Sequence, residues 1–123
     1  MLTQAAAREL GRGLRFMRHA RSLTLRDVAK RAAMSAQYVQ NIERGERLNV
    51  SKEALEKLAG GYEVPMAVVD DLVCKARVMS ALEERGFDAD QRTFVWRGVE
   101  QRMAELGIDV KTDLAKVVAS MIG

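Results

Sequence analysis

Residues 23–45, LTLRDVAKRAAMSAQYVQNIERG, decide how the chain folds. Thr24 stands where an N-cap is needed, and Asp27 three residues on completes a weak capping-box pattern, so a helix is predicted over 25–32. Ser35 caps a second helix over 36–44, which Gly45 closes as a C′ glycine. Only Ala33, Met34 and Ser35 separate the two. Two short helices joined so tightly cross steeply and leave the second as an outward ridge. Val39 and Ile42, three apart, face the core, so Ala36, Gln37, Gln40 and Asn41 face out. Such a ridge fits the DNA major groove, about 12 Å wide, where amide side chains are suited to adenine N6 and N7. Ser35 and the unpaired N–H groups at the helix start suit a phosphate.

The flanking sequence also reads as helices. A first helix is predicted over 3–21, with Leu10, Leu14 and Met17 on one face and Arg8, Arg12 and Arg15 on another. Gly11 and Gly13 weaken it by roughly 1 kcal/mol each relative to alanine. Ser51 caps a fourth helix over 52–59, and Gly60-Gly61 are expected to stop it. Pro65 opens a longer one to about 85, with a stripe of Val69, Leu72, Ala76, Met79 and Leu82. Asp88, with Gln91 three residues on, starts a helix to 106 carrying Trp96, Val99, Met103 and Leu106. Asp109 caps a seventh, with Val110, Leu114, Val117 and Met121. The last two stripes step by three and four residues, as a helical seam does. No segment alternates with period two, so the chain is expected to be all-α.

Composition narrows the function. The 123 residues include 30% charged side chains and one proline, which excludes a disordered chain. Aromatics are only 5%, against a strand-rich sandwich. No apolar run reaches the roughly 18 residues of a membrane span, and the arginine-rich start lacks the apolar region of a secretory signal. Cys74, the one cysteine, makes neither an internal disulfide nor a cysteine zinc site. A cytoplasmic protein is the expectation. Charge divides at Pro65: residues 1–64 balance at +5 and residues 65–123 at −2. Between Arg8 and Arg31, eight basic residues face only Glu9 and Asp27. A polyanion-facing module over 1–64, followed by a helical region over 65–123, is the predicted organisation.

Over residues 10–65 the chain resembles the Cro and phage-repressor family of helix-turn-helix regulators, the xenobiotic-response-element (XRE) family. The most specific pieces are Leu-Thr-x-x-Asp-Val-Ala at 23–29 and Met-Ser-x-x-x-Val-x-x-Ile-Glu-x-Gly at 34–45, followed in register by Leu55, Leu58, Ala59 and a Val-Pro. The resemblance implies a lambda-repressor-like domain of four to five helices that binds double-stranded DNA. Gln37 and Asn41 match its principal base-reading positions, with Ala36 and Gln40 on the same outward face. Ser35, Arg26, Arg44, Arg47 and Asn49 are assigned to the DNA backbone. Arg18 and Glu43 match an arginine–glutamate pair that locks the first helix to the end of the third, so Glu43 is structural. Two residues depart from the pattern: Leu25 stands where many members carry a DNA-contacting glutamine, and Ala33 replaces the common turn glycine.

Other chemistry finds little support. His19, the only histidine, lacks a second ligand and reads as a surface residue. Gly11-Arg12-Gly13 follows no strand and is not a phosphate loop. Asp70-Asp71 and Glu83-Glu84 read as solvated helix faces, and Cys74 as a buried small side chain. Arg12 and Arg15 read equally as solvated or as phosphate-facing, and Tyr38 as packed or touching backbone. The chain is therefore expected to be no enzyme and to carry no metal or cofactor. Trp96 reads as a core anchor or as an interface residue. Residues 65–123 make a marginal core alone, so a homodimer is expected, held by Trp96, Val99, Met103, Leu106, Val110, Leu114, Val117 and Met121. The expected function is a repressor on a palindromic operator. The alternative is an antitoxin that also regulates its own synthesis through the helix-turn-helix.

Overall fold

The computed structural model describes residues 1–107 and, within them, six helices and no strand. In order they are α1 Gln4–Ala20, α2 Leu25–Ala32, α3 Ala36–Glu43, α4 Lys52–Tyr62, α5 Met66–Glu84 and α6 Ala89–Leu106. The seventh helix expected after Asp109 lies outside the described residues, with Val110, Leu114, Val117 and Met121. No helix among the described residues is long and apolar enough to cross a membrane.

Local chemistry sets the helix starts. Thr3, Thr24, Ser35, Ser51 and Asp88 each accept a backbone N–H of the first turn, and Thr24 and Asp88 form complete capping boxes. α4 ends later than expected. It runs through Gly60 and Gly61 to Tyr62, and Glu63 closes it in the left-handed conformation (φ 58°). Gly61 is there for proximity: a Cβ on it would come within 2.8 Å of the Val28 carbonyl oxygen on α2. Gly11 plays the same part in α1. Its Cβ would overlap the Glu43 carbonyl and approach Ile42 O to 2.7 Å, so α1 lies directly against the end of α3. The helical propensity lost at both glycines is exchanged for backbone-to-backbone packing.

Leu10, Leu14, Val28, Val39, Leu58, Tyr62 and Val69 fill one core, each almost wholly shielded from solvent. The charge boundary at Pro65 does not interrupt it, because Val69, Val73 and Ala76 of α5 belong to the same cluster. α5 lies antiparallel to α1, Thr3 meeting Ser80 while Gly13 faces Leu72. Its buried residues are Val69, Val73, Ala76 and Ser80, with Leu72 and Met79 half-buried, so the expected stripe is partly displaced. The reason is that α5 is covered on two sides, by α1 and α4 and then by α6.

A second cluster joins Trp96, Val99 and Met103 of α6 to Val78 and Met79 of α5. This corrects the expectation that Trp96, Val99 and Met103 face a second copy. At 7%, 1% and 5% exposure they have little surface left to offer one, because α5 of the same chain already covers them. Leu106, the next residue of the stripe, stays 43% exposed.

Candidate nucleic-acid interface

The α2–turn–α3 unit is fixed from both ends. Thr24 Oγ1 accepts the Asp27 N–H at 3.1 Å, while Asp27 Oδ2 accepts the Thr24 N–H at 2.8 Å. Those hydrogen bonds to Thr24 are the main cause that holds the Asp27 carboxyl below its usual value of 3.8. Ala33 occupies the left-handed region (φ 55°, ψ 45°), and the next N–H, of Met34, returns to Ala29 O at 2.9 Å. The turn that a glycine makes freely is thus made by an alanine, at a cost of roughly 1–2 kcal/mol. Ser35 Oγ then accepts the Tyr38 N–H at 3.0 Å and starts α3.

Val39 and Ile42 pin α3 to the core, and Glu43 locks its end. Arg18 Nε donates to Glu43 Oε2 at 3.0 Å and Arg18 Nη2 to Glu43 Oε1 at 3.0 Å. Arg18 Nη1 also donates to Leu23 O at 3.2 Å, which ties the pair to the entry of α2. Arg18 and Glu43 thus form the buried pair expected of them, and Glu43 has no free face for chemistry. Tyr62, missed in the sequence, completes the group: its hydroxyl donates to Glu43 Oε2 at 2.7 Å from the last turn of α4. The signal was present, since Leu55, Leu58, Ala59 and Tyr62 share one helical stripe. Burial, with the bond to the Glu43 carboxylate, pushes the Tyr62 hydroxyl far above its ordinary value.

On the outer side of α3, Gln37 is exposed, and Ala36, Gln40 and Asn41 are half-buried. The Gln37 and Asn41 amides lie 2.8 Å apart and form a continuous amide surface. In the orientation that satisfies its neighbours, the Asn41 NH2 donates to Glu46 Oε2 at 3.0 Å and to Gln37 O at 3.2 Å. Ser35, Arg44, Arg47 and Asn49 are exposed around the two ends of this helix and along the loop that follows. The Arg47 guanidinium lies 4.8 Å from the centre of the Tyr38 ring, which gives the half-buried Tyr38 a place in the packing of that loop. Arg26 is exposed on α2. Leu25 is half-buried against the core, which accounts for an apolar residue at that position. Gly45 (φ 75°) lets the chain leave α3, and it passes so close to Arg8 that a Cβ would meet the Arg8 backbone N at 2.6 Å.

The electrostatics match this geometry. Arg26, Arg44 and Arg47 stand exposed on or beside the unit, whereas Asp27 and Glu43 are held in a cap and an internal ion pair, which leaves Glu46, beside Asn41, as the exposed acid next to it. The arrangement combines hydrogen-bonding amides on a rigid ridge with flanking cations, the division of labour between base edges and phosphates.

A family model described as a helix-turn-helix domain matches residues 9–72. The solved structure of the restriction-modification controller protein C.AhdI from Aeromonas hydrophila is similar, with 31% sequence identity and a TM-score of 0.50. That similarity covers 53% of this chain and 97% of C.AhdI. No curated protein matches the chain. With the model spanning just over half of its residues, the chain belongs to the helix-turn-helix domain family, of the XRE type, and is a DNA-binding transcription regulator.

Proposed function

We propose that the chain is a repressor that binds a palindromic operator as a homodimer, with α3 in the major groove. The observation that carries this reading is the placement of the Gln37 and Asn41 amides side by side, 2.8 Å apart, on the open side of a helix locked from behind by Arg18, Glu43 and Tyr62. Amides in that setting read adenine, while Ser35, Arg26, Arg44, Arg47 and Asn49 hold the phosphates. Likeness to a restriction-modification controller protein supports a role in controlling transcription. Repression requires only that the promoter be occupied, whereas activation requires a further contact surface.

Pairing of two copies follows from the use of one short helix, whose few base contacts specify half a site. Within the described residues Leu106 is the part of the expected seam that stays open to a partner. Selection of bound duplexes from a random pool, alongside sedimentation of the free chain, tests the reading. A two-fold symmetric site with half-site centres one helical turn apart, roughly 10 base pairs, and a sedimenting dimer are expected. Enrichment of a single unsymmetrical element by a monomer overturns the dimeric operator, and no enrichment overturns sequence-specific binding.

A further inference from the structure

The α3–α4 loop carries Arg47 and Asn49, and few bonds hold it. At one end the Glu46 N–H donates to Asn41 O at 2.9 Å, and at the other Ser51 caps α4. Between them, among the described residues, the one backbone hydrogen bond made by residues 47–50 runs from the Leu2 N–H to Leu48 O, at 2.8 Å. Leu2 is in turn followed by a residue that is firmly fixed. The Thr3 N–H donates to Ser80 Oγ at 3.0 Å, and the Thr3 hydroxyl donates to Glu83 Oε2 at 2.7 Å while accepting the Ala6 N–H at 3.3 Å. Ser80 is buried in α5. Residues 1–3 are thus a strap, fastened to α5 at Thr3 and holding the middle of the loop at Leu2.

We propose that this strap sets the position of the loop, so that Thr3, Ser80 and Glu83 are positioning residues for the phosphate contacts of Arg47 and Asn49. The inference rests on the DNA-binding reading above. A loop already ordered before binding loses less conformational freedom on meeting the phosphates, and the affinity gained is independent of base sequence. None of the three side chains needs to touch DNA.

The test uses the full chain and its Thr3→Val, Thr3→Ser and Ser80→Ala variants. Binding to the selected site and to an unrelated duplex of equal length is measured across a range of salt, with melting temperatures alongside. Thr3→Val is expected to weaken both complexes alike, by about three- to tenfold, and to reduce the salt slope by about one phosphate contact. Thr3→Ser restores both quantities. Ser80→Ala, which leaves the Thr3 cap of α1 in place, moves them in the same direction and decides the matter if Thr3→Val does not fold. A merely structural strap lowers the melting temperature and leaves affinity and salt slope at wild-type values in the folded variants, and that result overturns the proposal. Failure of the wild-type chain to bind any duplex overturns the DNA-binding reading itself, and the strap's role with it.

Discussion

Tyr62 donates a 2.7 Å hydrogen bond to the carboxylate of Glu43, so the last turn of α4 holds the last residue of α3. Arg18 holds the same carboxylate from α1. Two helices, α1 and α4, therefore converge on the end of the helix that carries Gln37 and Asn41. Tyr62→Phe removes one donor and leaves the Arg18–Glu43 pair, and is expected to lower stability by about 1–2 kcal/mol. Arg18→Ala strands a carboxylate whose side chain is 4% exposed, and is expected to cost about 3–5 kcal/mol. Urea unfolding of both variants measures the difference, and equal small losses would contradict the lock.

Glycine at position 33 is expected to stabilise the chain. Ala33 lies at φ 55°, where an L-residue with a Cβ is strained and glycine is not. After the greater freedom of glycine in the unfolded chain is counted, the gain is roughly 0.5–1 kcal/mol, read as a melting temperature several degrees higher. A lower melting temperature in Ala33→Gly would mean that the alanine methyl group makes a contact worth more than the strain.

Gly11→Ala is expected to act in the opposite sense. The added methyl overlaps the backbone of Glu43, which has no side-chain freedom with which to yield. A loss of about 1–3 kcal/mol follows from such overpacking, together with weaker DNA binding as α3 is displaced. Denaturant titration and a binding curve read the two effects. An alanine variant of wild-type stability would contradict the close approach of α1 to α3.

Asp27 and Tyr62 are expected to make stability fall at the acid and alkaline extremes of pH. The folded pKa of Asp27 lies below its ordinary 3.8, so its contribution is present above that value and is lost as pH falls through the lowered one. Tyr62 is shifted upward from 10.0, so its contribution is complete below that pH and is lost as pH rises beyond it. Asp27→Asn should therefore flatten the acid limb of a melting-temperature profile, and Tyr62→Phe the alkaline limb. Unaltered limbs in both variants would contradict these assignments.

What the sequence disclosed was governed by distance along the chain. Thr24 with Asp27, Ser35 and Gly45 act within four residues, and the helix-turn-helix was legible from them. The Arg18–Glu43 pair spans 25 residues and was reached through resemblance, because spacing alone does not bring two helices together. Gly11 and Gly61 were misread for the same reason: glycine in a helix looks like weakness until the backbone it makes room for is known. The stripe of Trp96, Val99 and Met103 announced that one side of α6 is covered, and left open by what. The answer, α5 of the same chain, depended on α5 using two sides at once, which its sequence pattern partly concealed.

Base reading is assigned here to Gln37 and Asn41. The most direct measurement compares DNA selection profiles of the wild-type chain and the Gln37→Ala, Asn41→Ala double variant, with circular dichroism to establish that both are folded. Each single replacement is expected to cost about 1–3 kcal/mol of specific binding, and the two should not add, because their amide groups are in contact. Arg44→Ala, by comparison, should weaken all duplexes alike. The folded double variant is expected to lose base preference within each half-site while keeping its salt-dependent binding to unrelated DNA. A folded double variant that selects the same sequence as the wild type would overturn that assignment.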